Sequence, residues 1–300
     1  LVGEKNPVQT LEVVKCDFSS LKSTERCASL RFLEALSRAP KLTKLNLNGV
    51  QFHPGISLTE AIPRLVQTPP SHIEDLSLKN CPAVTTEAVL GLIDGLTTNG
   101  KLRILHLDPD ESSGLSNECF RAMGEMLHTN NTLQEIQVRM SPHETIDLLP
   151  IAQALKTNRK LEKFLYLSHR PYRPTPEVIQ NLEEALHESG YLKRIGMGGG
   201  NSSNSDGWGP TITKYLAMNQ AGRQILFDEV DNKCTTEDWM RVMLACHKDV
   251  RTVFYFLSRN PAKVQHFIKA TPEANEGDLN DEEKEREEEE EHVRKKQRVD

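Results

Sequence analysis

Lys41-Leu42-Thr43-Lys44-Leu45-Asn46-Leu47 is a phrase that returns along the chain. It comes back as His72-Ile73-Glu74-Asp75-Leu76-Ser77-Leu78 and as Lys101-Leu102-Arg103-Ile104-Leu105-His106-Leu107, with looser copies at 11–16, 133–138, 161–166 and 192–197. The first apolar anchors of these copies fall at 11, 42, 73, 102, 133, 161 and 192. A near-constant period of this size marks a repeat architecture, in which each unit buries its apolar face only against its neighbours. Each unit reads as strand, turn, helix, return. Counted from the first apolar anchor, the apolar residues stand at positions 1, 4 and 6, and 4 and 6 alternate with polar neighbours as a strand buried on one face requires.

The helical halves follow at spacings of three and four, which place one apolar stripe on each helix. They run through Leu30, Leu33 and Leu36; Val89, Leu92, Ile93 and Leu96; Phe120, Met123 and Leu127; Leu148, Ile151 and Leu155; and Ile179, Leu182 and Leu186. Ser57-Leu58-Thr59-Glu60 has capping-box spacing, and Thr175-Pro176 sets a cap residue before a proline at the first helical position. Pro63 is expected to tighten or bend the first turn of its helix.

These units resemble leucine-rich repeats of the ribonuclease-inhibitor type. The carriers are the Leu-x-x-Leu-x-Leu phrase, Cys81 three places after Leu78, and the Asn-x-x-Leu returns at Asn99, Asn130 and Asn158. The resemblance covers roughly residues 6–200 and implies an α/β horseshoe, with parallel strands on the concave side and helices outside. Val50, Asp110 and Ser141 stand where the family has Asn or Cys, so less regular turns are expected there. The segment Tyr215-Leu216-Ala217-Met218-Asn219-Gln220-Ala221-Gly222-Arg223 is similar to one in leucine-rich-repeat proteins of single-celled algae such as diatoms.

After Met197 the phrase stops. Residues 198–207, rich in Gly, Ser and Asn, read as a flexible connector without the Gly-Lys-Ser/Thr ending of a phosphate loop. The expected division is a solenoid over 1–200, a helical capping segment over 201–270, and a disordered acidic and basic tail over 271–300. An open solenoid end exposes apolar surface and needs a cap. Residues 273–300 hold 13 acidic against 6 basic side chains, so the tail contributes -7 to the net charge of -6 and residues 1–272 carry +1. A near-neutral body argues against a nucleic-acid surface.

Six scattered cysteines without a Cys-x-x-Cys suit a reducing compartment, and no apolar run approaches the ~18 residues of a membrane span. An intracellular protein, nuclear or cytoplasmic, is the expectation. Leu1 is not an initiator methionine and the chain opens inside what reads as a repeat connection, so an upstream part is expected to be missing. Lys295, Lys296 and Arg298 form a candidate nuclear import signal of the Lys-Lys-x-Arg kind.

No catalytic, cofactor or metal constellation stands out. His143-Glu144 and His187-Glu188 lack a second histidine, no Gly-x-Ser-x-Gly exists, and Cys246-His247 are only sequence neighbours. The expectation is a non-enzymatic scaffold that binds a protein partner, with no cofactor, small-molecule substrate, nucleic acid or membrane. The candidate partner-binding residues are the outward members of the strands: Lys44, Asn46, Asp75, Ser77, Lys79, His106, Asp108, Gln137, Arg139, Lys163, Leu165, Leu167 and Arg194. Leu165 and Leu167 are expected to be exposed. The competing register buries both and turns Phe164 and Tyr166 outward. Solenoid followed by an acidic stretch also resembles the Ran GTPase-activating proteins, with Thr59-Glu60-Ala61-Ile62-Pro63 similar to a helix of that family. That likeness implies a small-GTPase regulator, but residues 49–57, where the critical arginine is sought, contain none. A third reading is the substrate-recognition part of a ubiquitin-ligase adaptor.

Overall fold

The computed structural model describes residues 8–16, 32–36, 38–51, 58–67, 72–81, 84–109, 114–168, 172–197, 208–220 and 222–223, with helical positions at 241, 243–244, 253–254 and 257–258. Leu30, the connector 198–207 and the tail with Lys295, Lys296 and Arg298 lie outside the described residues. The chain forms two compact units, Leu1–Cys234 and Thr235–Asp300. In the second, the described residues are helical, and Leu244 and Phe254 are exposed.

The first unit holds seven described strands: β1 (Thr10–Val14), β2 (Lys44–Asn48), β3 (Asp75–Lys79), β4 (Ile104–Asp108), β5 (Glu135–Arg139), β6 (Lys163–Leu167) and β7 (Arg194–Met197). They make one all-parallel sheet in chain order. Between and after them run α1 (Leu58–Gln67), α2 (Thr86–Leu96), α3 (Asn117–Thr129), α4 (Leu149–Ala154), α5 (Pro176–Glu188) and α6 (Gly209–Gln220), each packed on the next. Strands paired in sequence order, with a helix in every return described from β2 to β7, are a repeating α/β solenoid.

The repeat phrase explains the packing. Its fourth position forms one inward row: Leu45, Leu76, Leu105, Ile136, Phe164 and Ile195 are register partners in succession, and Leu11 joins the row opposite Leu45, so the first coil is set three residues away from the frame expected with Leu11 as its anchor. Its sixth position forms a second row from Val13 through Leu47, Leu78, Leu107 and Val138 to Tyr166. From β2 to β6 every member of both rows is 0% or 1% exposed, whereas Leu11 and Val13 in β1 are only partly buried. The anchors Leu42, Ile73, Leu102, Leu133, Leu161 and Leu192 close the core behind them. Phe164 and Tyr166 therefore point inward, and the competing register does not occur.

The Asn-x-x-Leu returns have a hydrogen-bonding reason. A helix end leaves carbonyls without intrahelical partners, and a buried one must find a donor. Asn99 donates from Nδ2 to the Val66 carbonyl at 2.7 Å, Asn130 to Leu96 at 2.7 Å, and Asn158 to Leu127 at 2.8 Å. Each Oδ1 accepts the backbone N–H of the following anchor leucine, at 2.7, 2.9 and 2.8 Å. One side chain thus fastens its own coil to the helix of the coil before.

Turn chemistry differs between the halves of the stack. Lys15, Gly49 and Asn80 directly follow β1, β2 and β3 and share a left-handed backbone, with φ of 50°, 64° and 50°. β4 is followed instead by Pro109, whose ring holds φ near -65° and forbids that turn. Thr85 and Thr175 cap α2 and α5, each accepting an N–H at 3.3 Å. Pro63 lies at the sixth residue of α1, not in its first turn as the sequence suggested, because the helix begins at Leu58.

Candidate interaction face

The outward side chains of the strands form three columns about 4.8 Å apart per step. The first runs Lys44, Asp75, Ile104, Glu135, Lys163 and Arg194; the second Asn46, Ser77, His106, Gln137, Leu165 and Gly196. The third holds Asn48, Lys79 and Asp108, then Arg139 and Leu167. All thirteen candidate residues therefore lie on one sheet face. Their access differs.

Two charge clusters are internally neutralised. Arg139 donates from Nε to Asp108 Oδ1 and from Nη2 to Oδ2 at 3.3 Å, and Asp108 is 6% exposed. Glu135 receives Lys163 Nζ at 2.7 Å and faces His106 Nε2 at 3.3 Å. Burial pushes the Glu135 carboxyl up, but the Lys163 and His106 contacts together outweigh it and hold the group below its usual range. By contrast, no ion pair among the described residues engages Lys44, Asp75, Lys79 or Arg194. Lys44 and Arg194 are exposed, and Asp75 and Lys79 are half-buried.

Three candidates are less accessible than the sequence suggested. Ser77 is 6% exposed and Leu165 7%, as buried as Asp108. Leu165 has Gln137 and Gly196 as register partners, with Lys163 and Leu167 on the same face of its own strand. Leu167 is half-buried, so the expected pair of exposed leucines is not present. Asn46 donates from Nδ2 to Glu12 Oε1 at 2.9 Å, while its Oδ1 and the Ser77 Oγ are buried without a partner among the described residues.

Cys81 donates its thiol to the Lys79 and Leu47 carbonyls at 3.2 and 3.3 Å, and burial pushes the Cys81 and Cys119 thiols up, away from the reactive thiolate. Among the described residues, no group of three or more His, Cys, Asp or Glu side chains is placed to hold a metal, and no helix is long and apolar enough to cross a membrane.

Sequence reasoning missed Asn219 and Arg223. Asn219, on α6, donates to the Leu192 carbonyl at 2.8 Å and the Ser189 carbonyl at 3.4 Å. Arg223 is 0% exposed, donates to the Leu186 carbonyl at 2.7 Å and the His187 carbonyl at 2.6 Å, and lies 4.8 Å from the Tyr215 ring centroid. These bonds fall on the end of α5 and the return after it, where Asn99, Asn130 and Asn158 serve earlier coils. The available signal was the segment 215–223, singled out in the sequence with no role given to either residue.

No protein-family model matches the chain, and no curated protein does. Among solved structures, the actin-binding site 2 region of leiomodin-1 is similar at a TM-score of 0.48 and 15% identity, covering 60% of this chain and 100% of that one.

Proposed function

We propose that this chain is a leucine-rich-repeat solenoid of the ribonuclease-inhibitor type that works as a non-enzymatic scaffold, holding a protein partner on its strand face. The observation that supports this reading is a continuous face of seven in-register strands on which Lys44, Lys79 and Arg194 carry charge that no described acid neutralises by an ion pair. Extended solenoid faces give large contact areas, and exposed unpaired charges steer a partner of opposite pattern at low desolvation cost.

The test is quantitative affinity capture from the native cell with the wild-type chain and with Lys44→Glu/Arg194→Glu, followed by a titration with the recovered protein. Both positions are exposed, so the fold tolerates the change. A protein that binds the wild type and is weakened about tenfold or more by the two reversals supports the reading. Equal binding by both chains removes the strand face from the account. Leu165→Asp is a poor probe, since it buries a charge and perturbs the fold as well as the face.

A further inference from the structure

Residues 140–146, 168, 172 and 173, beyond the carboxyl ends of β5 and β6, line an open cavity of about 270 Å³ that none of the thirteen candidate residues lines. Met140, Pro142, Ile146 and Tyr172 supply apolar wall, and His143 and Arg173 stand among the polar groups at its lining. Its volume lies under the ~300–1,000 Å³ of small-molecule sites. It has room for about one side chain.

The walls are built in advance. Asn117, the first residue of α3, fastens the β5–α4 loop three times. Its backbone N–H donates to Glu144 Oε2 at 3.1 Å, its Nδ2 donates to the Thr145 carbonyl at 3.0 Å, and its Oδ1 accepts the Asp147 N–H at 2.8 Å. Within the loop the His143 N–H donates to Ser141 Oγ at 3.2 Å. On the opposite wall the Tyr172 ring meets Tyr166 edge-on at 5.6 Å and lies 5.8 Å from Trp208. Burial pushes the Tyr172 hydroxyl up to about 12, so this phenol stays neutral. Loops held this way lose little freedom when something enters, which removes part of the cost of binding.

The cavity lining carries one carboxylate, Glu144, and one guanidinium, Arg173. Glu144 already accepts the N–H at the start of α3, where a carboxylate is favoured. Arg173 is exposed, and no described acid pairs with it. Met140 and Ser168 directly follow Arg139 and Leu167, so the cavity lining adjoins the third outward column in the chain.

We propose that this cavity is the anchor pocket for a bound protein segment, taking one aromatic or large aliphatic side chain whose neighbouring carboxylate is held by Arg173. The route of arrival rests on the strand-face reading; the pocket itself does not. The test uses N-acetyl-phenylalanine and its amide as probes, titrated into the isotope-labelled chain and followed by backbone amide shifts. Saturable shifts confined to 140–146, 168 and 172–173 are expected, with the amide about tenfold weaker because it lacks the charge for Arg173. Arg173→Ala is expected to bring the acid down to the level of the amide while leaving the fold intact. Absence of saturation at tens of millimolar overturns the proposal. So do shifts scattered over the chain, or equal binding of acid and amide. Because these probes need no strand face, their failure leaves the scaffold reading to its own charge-reversal experiment.

Discussion

Glu135 shows how a single side chain on the outward face is set by its neighbours. Its carboxyl is held low, against the upward push of burial, by Lys163 and His106. A carboxyl with a folded value below its unfolded value of ~4.3 adds stability that is present above the unfolded value and lost as pH falls through the folded one. Glu135→Gln is therefore expected to lower stability near neutral pH and to converge on the wild type in acid. Urea unfolding of both chains between pH 7 and pH 3 checks this; a gap that stays constant across the range contradicts it. At this scale the sequence was half legible. Alternation told that Glu135, Gln137 and Arg139 face outward, because a strand's period of two leaves no other choice. It did not tell that Leu165 is 7% exposed, because cover on a flat face depends on which neighbours lean over, and the phrase does not encode that.

At the scale of elements, strands and helices were read from spacing, which held from β2 onward because apolar residues recur at the same phrase positions, whereas the β1 copy was offset by three residues. α6 was harder. It follows the glycine-rich stretch 198–207, carries no repeat phrase, and contributes through Asn219 together with Arg223 just beyond its end, residues that reach back 27 to 37 positions. We propose that α6 and the turn after it close the last coil of the first unit. A chain ending at 234 is then expected to unfold like residues 1–234 in the full chain. One ending at 207 exposes Leu186 and His187 carbonyls and loses the cover of Ile212 and Met218. Arg223→Ala isolates the polar part: leaving buried carbonyls unpaired costs about 1–3 kcal/mol each, and Arg223→Lys restores little because one ammonium does not reproduce the guanidinium fork. Circular dichroism in urea measures all four chains. Equal midpoints for the chains ending at 207 and 234, with Arg223→Ala like wild type, remove α6 from the stack.

For the whole molecule, stacking makes stability a sum of neighbour terms, so a coil with neighbours on both sides is held better than one at an end. β3 and β4 have both neighbours, and their inward residues are 0% or 1% exposed. β1 pairs with β2 alone among the described strands, and its inward Leu11 and Val13 are partly open. The phrase did not show this gradient, and in β1 it was read in the wrong frame: Leu11, taken as an anchor, pairs with Leu45 at the fourth position. Native-state amide exchange is expected to reflect the gradient. Amides of β1 should exchange first, those of β3, β4 and β5 last, and the side-chain-locked corners at Asn130 and Asn158 with the slow group. Leu76→Ala, which empties a site between Leu45 and Leu105, should cost about 2–5 kcal/mol and speed exchange mainly in β2, β3 and β4. A single uniform exchange rate for all strands, or an equal acceleration of β6 by Leu76→Ala, is incompatible with coils that communicate only through their neighbours.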